Sequence, residues 1–413
     1  MHFANRAVPI VLAAVLIDTI GFGIVMPVLP ALITQLGQVG IDEATRIAGY
    51  MLVAFALAQF VAGPILGNLS DRFGRRPVLI ASMLAFGIDY ALMAAAPTLA
   101  WLFLGRFIAG IAGAIYGPAS SVIADVTPPD KRSAAFGYVS AAFGIGFIIG
   151  PALGGLISGL GPRAPFIAAA ILALGNAAIM TLAMPESLAR DHRRPFRLRD
   201  SHIVGAFKPL FDSRVAAPLL LVAFIWQFAH QVYPATWAFW ATIRFNWSPG
   251  AIGLSLAYVG LIMALVQALL VAPVIGRVGD RRALLIGLAF GAAGFLALAF
   301  VTAGWQTYAF MVIGALSGFV GPAVNGLLSR MVGPERQGAL QGGLGSLASV
   351  AAIISPLMMT QTLAAGVEHG FPGAAFLLAG LLVLIAIGIV VGKVLERTTS
   401  ATEGVAEEAK TGV

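Results

Sequence analysis

The chain has 413 residues, of which 59% are hydrophobic and only 10% charged, against about 25% charged in an ordinary soluble domain. Cysteine is absent, which excludes disulfides, thiolate metal sites and thiol catalysis. The net charge of +7 raises nucleic acid as a partner, but the basic residues are distributed by membrane side rather than in a binding stripe, and nucleic acid is excluded on that pattern.

A bilayer core takes about 20 apolar residues per crossing helix. That ruler predicts an all-α integral membrane protein with twelve spans, near residues 7–30, 46–66, 78–96, 100–124, 133–158, 164–184, 215–241, 249–274, 283–303, 306–329, 337–363 and 372–394. The first run is too long for a signal-peptide core and has no obvious cleavage site, so it reads as a retained helix. Placing both termini in the cytoplasm puts 21 of the 25 Lys and Arg residues inside. Arg46, Arg163 and Arg244 remain outside, and Arg106 falls within a span.

In chain order, the first chemically notable residue is Asp18, eleven residues into the first span and so roughly 16 Å deep. The charged turn Gly67-Asn-Leu-Ser-Asp-Arg-Phe-Gly-Arg-Arg-Pro77 follows the second span. There Gly67 and Gly74 are expected to allow a tight turn and close helix approach, with Asp71 the anion, Arg72, Arg75 and Arg76 the cations, and Pro77 opening the next helix. Asp89 lies within the third span and Arg106 within the fourth. Ionisable groups at such depth are costly and point to function. A membrane carboxyl is drawn towards neutrality by burial and towards the anion by a nearby guanidinium, a balance suited to taking and releasing protons. Quiet pairing with Arg106 is the structural alternative. Asp125 ends the fourth span as a salt-bridge partner for cytoplasmic arginines. In the fifth span Gly146, Gly150 and Gly154 repeat at i, i+4 and i+8 beside Pro151 and Gly155, a flat face for close helix packing.

Residues 185–214 are a basic, polar interval, read as a cytoplasmic linker between a first six-helix bundle (1–184) and a second (215–397), with 398–413 a cytoplasmic tail. In the seventh span Trp226, Tyr233, Trp237 and Trp240 are expected to share one helix face. Trp237 and Trp240 fit an aromatic belt at the outer interface. Trp226, Gln227, His230 and Gln231 lie deeper as substrate-cavity candidates, joined by Gln267 and Asn325. The halves repeat: Gly117-Pro-Ala returns at Gly321, Pro129-Asp-Lys at Pro334-Glu-Arg, Gly137 at Gly342, and Gly150-Pro at Ser355-Pro, all at offsets of 204 or 205. Asp71 is matched to Asp280, in Gly276-Arg-Val-Gly-Asp-Arg-Arg282. Paired six-helix repeats place binding sites between them near mid-membrane. No zinc cluster, nucleotide loop or nucleophile elbow is present, so no catalytic constellation is expected and any pumping draws on an ion gradient.

Gly67–Pro77 resembles the cytoplasmic signature of the major facilitator superfamily, and Gly146–Gly155 the fifth-helix motif of its drug/H⁺ antiporters. Leu16–Pro30, Asp89-Tyr90, Ser121–Asp125 and Gln337-Gly-Ala-Leu-Gln-Gly342 are similar to the tetracycline efflux proteins of that superfamily. The resemblance implies that Asp18, Asp89 and Arg106 are functionally required membrane charges. It further implies that Asp71 faces the start of the eleventh helix near Gln337, and that Arg75 pairs with Asp125 to latch the cytoplasmic side. The chain departs from the pattern at Met263 and Gly291, where such exporters hold a His and an Asp. The expected function is therefore proton-coupled efflux of a small amphipathic drug-like substrate by alternating access, in the bacterial cytoplasmic membrane and as a monomer. No cofactor is expected, and Mg²⁺ enters only as a chelate with the substrate. The alternative is a facilitator or symporter for a metabolite such as a sugar or organic anion.

Overall fold

Long apolar runs satisfy their backbone groups internally as helices, the form a lipid environment demands, and the chain is built accordingly. The computed structural model describes residues 4–113, 116–128, 131–193, 216–332 and 337–395; no strand occurs among them. In chain order the helices are α1 (Ala4–Val25), α2 (Leu29–Gly37), α3 (Ile41–Phe73), α4 (Arg75–Ala95), α5 (Leu99–Ala112), α6 (Tyr116–Val126), α7 (Arg132–Ile157) and α8 (Ala164–Ala183). They continue as α9 (Ala217–His230), α10 (Val232–Phe245), α11 (Pro249–Leu269), α12 (Val271–Phe300), α13 (Gly304–Ala315), α14 (Val320–Met331), α15 (Gln337–Glu368) and α16 (Ala374–Ile389). Pro30, Pro165 and Pro218 sit in the opening turns of α2, α8 and α9, where a missing N–H is harmless.

Eleven helical segments among the described residues are long and apolar enough to cross a membrane. The remaining expected span, 215–241, is broken: α9 ends at His230 and α10 begins at Val232. Pro234 explains the break, since it has no N–H to give to the carbonyl of His230. With that broken crossing the total is twelve. Most of residues 185–214, the tail 398–413, Pro129-Asp130 and Pro334–Arg336 lie outside the described residues.

The helices group into two compact units. One comprises Met1–Ile203, Pro234–Leu261 and Pro356–Pro372; the other comprises Val204–Tyr233, Ile262–Ser355 and Gly373–Val413. In the first, α1 packs against α7 and α8, α3 against α5, and α4 against α5 and α8. In the second, α12 packs against α13, α14 and α16, and α9 against α16. The small side chains of α1 and α8 permit close packing, and Ala14, Ala169, Ala173 and Ala177 are buried. Leu156, Ile171, Leu182 and Leu254 are exposed, as lipid-facing positions should be.

Candidate functional site

The ionisable residues buried in the first unit come from three helices. Asp18 on α1 is 9% exposed, and no hydrogen bond or ion pair reaches its carboxyl from the described residues. Asp89 on α4 is fully buried, and Arg106 on α5 donates from Nη2 to its Oδ2 at 2.7 Å. The same nitrogen lies 2.8 Å from the Met93 sulfur. Asp89 Oδ1 and Arg106 Nε are buried without partners. Gly105 makes room for this pair: a Cβ there would stand 2.5 Å from Asp89 Oδ1. Asn176 on α8, not singled out from the sequence, donates to the Ala14 carbonyl at 3.1 Å and ties α8 to α1 one turn before Asp18.

The glycine stripe of α7 packs as its spacing predicts. A Cβ on Gly146 would lie 2.7 Å from Thr19 Cβ, one on Gly150 2.7 Å from the Ile20 carbonyl oxygen, and one on Gly154 2.8 Å from Ile24 Cα. All three are therefore seated on α1. Gly155 serves another neighbour, because its Cβ would lie 3.0 Å from Gly250 Cα at the start of α11. At the same outward-expected end, Arg46 on α3 donates to Glu368 at 2.6 Å and to Gln361 at 3.0 Å, both on α15. The first unit thus joins segments from both sequence halves at that end.

In the charged turn, Gly74 carries the break between α3 and α4 with φ of +108°, a region that favours glycine. A side chain there would also collide with the Glu186 carboxylate. Gly67 does neither of the things expected of it: α3 runs straight through it, and a Cβ would meet nothing within 4 Å. Arg75 is bonded to Asp71, and its Nε lies 3.3 Å from Asp125 Oδ2. Arg72 lies over the Phe73 ring, and Arg76 donates to the Thr181 carbonyl. Glu186, outside the sequence-based set, accepts the backbone N–H groups of Arg75 at 2.8 Å and Arg76 at 3.3 Å, capping α4 from a distance. Ser187 donates to Asp125 at 3.1 Å. Gln337 donates to the carbonyls of Ser329 and Val332 in its own unit.

The second unit corrects the internal match. Gly279 interrupts α12 with φ of +78°, as Gly74 does between α3 and α4. Aligning the two breaks gives an offset of 205, within the 204 or 205 of the other repeats, so Asp280 is the counterpart of Arg75 rather than of Asp71. Arg330 is then the counterpart of Asp125. Asp280 and Arg330 form an ion pair, so the second unit carries the same contact as Arg75 and Asp125 with its polarity reversed.

Trp226 and His230 meet as tilted rings with centroids 5.3 Å apart, His230 and Tyr233 meet edge to face at the same distance, and Phe295 lies 6.4 Å from Trp226. The break at Gln231 divides the expected aromatic face. Trp237 and Trp240 belong to the first unit, each is 1% exposed, and Trp237 donates to Ser255 Oγ at 3.0 Å. They are core residues, not an interfacial belt. A cavity of about 350 Å³ in the second unit is lined by Trp226, Gln227 and Asn325 together with Gln341. His230, Gln231 and Gln267 are not in that lining; Gln267 instead donates to the Gly318 carbonyl at 3.3 Å. Gln341 was visible in the sequence only within the Gln337–Gly342 motif, in which the sequence reading assigns it no cavity role. No group of three or more His, Cys, Asp or Glu able to hold a metal occurs among the described residues.

Twelve apolar crossings, a buried charge pair, glycine-seated helices and a polar-lined cavity define a polytopic membrane carrier. The chain belongs to the Major Facilitator Superfamily, whose profile matches residues 11–356 and 235–411. It is 40% identical over 384 residues to the class C tetracycline resistance protein of Escherichia coli, covering 93% of this chain and 96% of that one. It is 38% identical to the class G tetracycline resistance protein of Vibrio anguillarum, covering 92% and 96% respectively. The crystal structure of the human organic anion transporter MFSD10 superposes with a TM-score of 0.69 at 23% identity, covering 94% of this chain and 99% of that one, a likeness of fold.

Proposed function

We propose that the chain is a proton-coupled exporter of amphipathic, tetracycline-type drugs, working by alternating access in a bacterial cytoplasmic membrane with both termini inside. The observation that carries this reading is the burial of Asp18, Asp89 and Arg106 in membrane helices of one unit, while the cavity of the other is lined by aromatic and amide groups. Separating the two tasks lets a proton and a substrate exchange without sharing a residue. A proton reaching Asp18 or Asp89 from outside releases substrate and relaxes the bond to Arg106; its loss inside restores the pair. A proton moving down 100 mV supplies about 2.3 kcal/mol, enough for roughly a fifty-fold gradient at 1.4 kcal/mol per decade. Asp71, Arg75 and Asp125 act in this cycle as a latch on the cytoplasmic side. The Arg46–Glu368 contact and the Gly155–Gly250 approach close the outer side. The resistance proteins it resembles support export over uptake.

The test is tetracycline uptake into inverted membrane vesicles with an imposed proton gradient. Uptake should be abolished by collapsing the gradient and by Asp18→Asn. Uptake that continues in Asp18→Asn and Asp89→Asn without a gradient would replace this reading with facilitated diffusion.

A further inference from the structure

The cavity of the second unit has a lining chemistry that names its ligand class. Its walls include Trp226, Gln227, Val324, Asn325, Gln341 and Leu344, and no Asp, Glu, Lys, Arg or His is among its lining residues. Its volume of about 350 Å³ lies in the range of drug-sized sites. The Trp226 indole is fixed by His230 and Phe295, and it lies against Gly291. A Cβ at 291 would stand 2.6 Å from Trp226 Cζ3 and 3.0 Å from Cη2, so ring and acidic side chain cannot share that space. The aromatic surface thus occupies ground where an anionic group would otherwise project.

The amides are partly committed. Gln341 Nε2 donates to Asn325 Oδ1 at 3.1 Å, and Asn325 Nδ2 donates to the Gly321 carbonyl at 3.2 Å. That leaves the Gln341 carbonyl and a second N–H on each amide. No partner reaches the exposed Gln227 amide from the described residues. The site offers neutral donors, neutral acceptors and a rigid aromatic face. A cationic metal chelate would meet no carboxylate among these lining residues, so the site gives it no ion pair beyond what the same amides give a neutral ligand.

We propose that this cavity binds a polycyclic ligand that carries no net charge and no metal, with an aromatic face stacked on Trp226 and hydrogen bonds through Gln227, Asn325 and Gln341. The proposal rests on the export reading above for its role, but binding is measured apart from transport. The experiment is equilibrium dialysis of the purified full-length protein with two probes, tetracycline and an uncharged, non-chelating coumarin, each in EDTA and in Mg²⁺. Expected is binding in EDTA within about twofold of that in Mg²⁺. Trp226→Ala should weaken it about tenfold, with Trp226→Phe keeping most of the affinity. Gln341→Ala and Gln227→Ala, at exposed positions where folding is not at stake, should each weaken it about threefold to tenfold. Coumarin binding alone, with these dependences, supports the cavity assignment and removes tetracycline as the cargo. Tenfold or greater tightening by Mg²⁺, indifference to Trp226→Ala together with Gln341→Ala, or no binding of either probe in EDTA would overturn it. Loss of proton-driven uptake with binding intact would count against the export reading alone.

Discussion

Removing the anion from the Asp89–Arg106 pair should damage the protein more than removing the cation. Arg106 is 7% exposed; its Nη2 has Asp89 and a thioether sulfur as partners, and its Nε has none. Asp89→Asn therefore strands a guanidinium, a group that cannot give up its proton. Losing one member of a buried pair costs about 3–5 kcal/mol, or roughly two to three and a half powers of ten in the folding equilibrium. Arg106→Gln leaves an acid that can take up a proton and lose its charge, so its cost should be smaller. The double variant Asp89→Asn, Arg106→Gln should recover most of the stability, since neutral replacement of a buried pair is often tolerated. Chemical denaturation of purified protein in detergent gives the order directly: Asp89→Asn lowest, Arg106→Gln between, the double variant near the parent. Proton-driven uptake should be lost in all three. Parental stability for Asp89→Asn, or a double variant as unstable as the sum of the singles, would refute the reasoning.

Two further outcomes follow from packing. Gly154→Ala presses a methyl onto α1 with Ile24 Cα 2.8 Å away and should cost about 1–3 kcal/mol. Gly144→Ala, where nothing lies within 4 Å, should leave the denaturation midpoint unchanged or slightly raised. Because the chain has no cysteine, Arg46→Cys with Glu368→Cys introduces a single pair of thiols where α3 meets α15. A bis-methanethiosulfonate linker should join them and stop uptake, and reductant should restore it; unimpaired uptake by the cross-linked protein would show that this end need not open.

The architecture was legible because its signal is long. Twenty-residue apolar runs and the sidedness of arginine depend on bilayer thickness and charge, and neither needs tertiary knowledge. The stripe of Gly146, Gly150 and Gly154 was legible for the same reason, since helical period places all three on one face. What escaped depends on contacts between residues far apart in sequence. Glu186 caps α4 from 111 residues beyond Arg75, and Arg46 finds Glu368 across an interval of 322 residues. Trp237 looks like an interfacial residue in a hydropathy reading, but it is 1% exposed and donates to Ser255 on α11. Gly67 shows the opposite error, a glycine in a recognisable motif that the backbone does not use.

Arg75–Asp125 and Asp280–Arg330 hold matched positions in the two halves with the charges exchanged. Replacing one charge alone in either pair by its opposite would set two like charges together, so the two members of a pair constrain each other. What the repeat retained was the attraction and not the amino acids. Aligning the halves by letter alone pairs Asp71 with Asp280, two acids with different partners, and overlooks the pair that is equivalent.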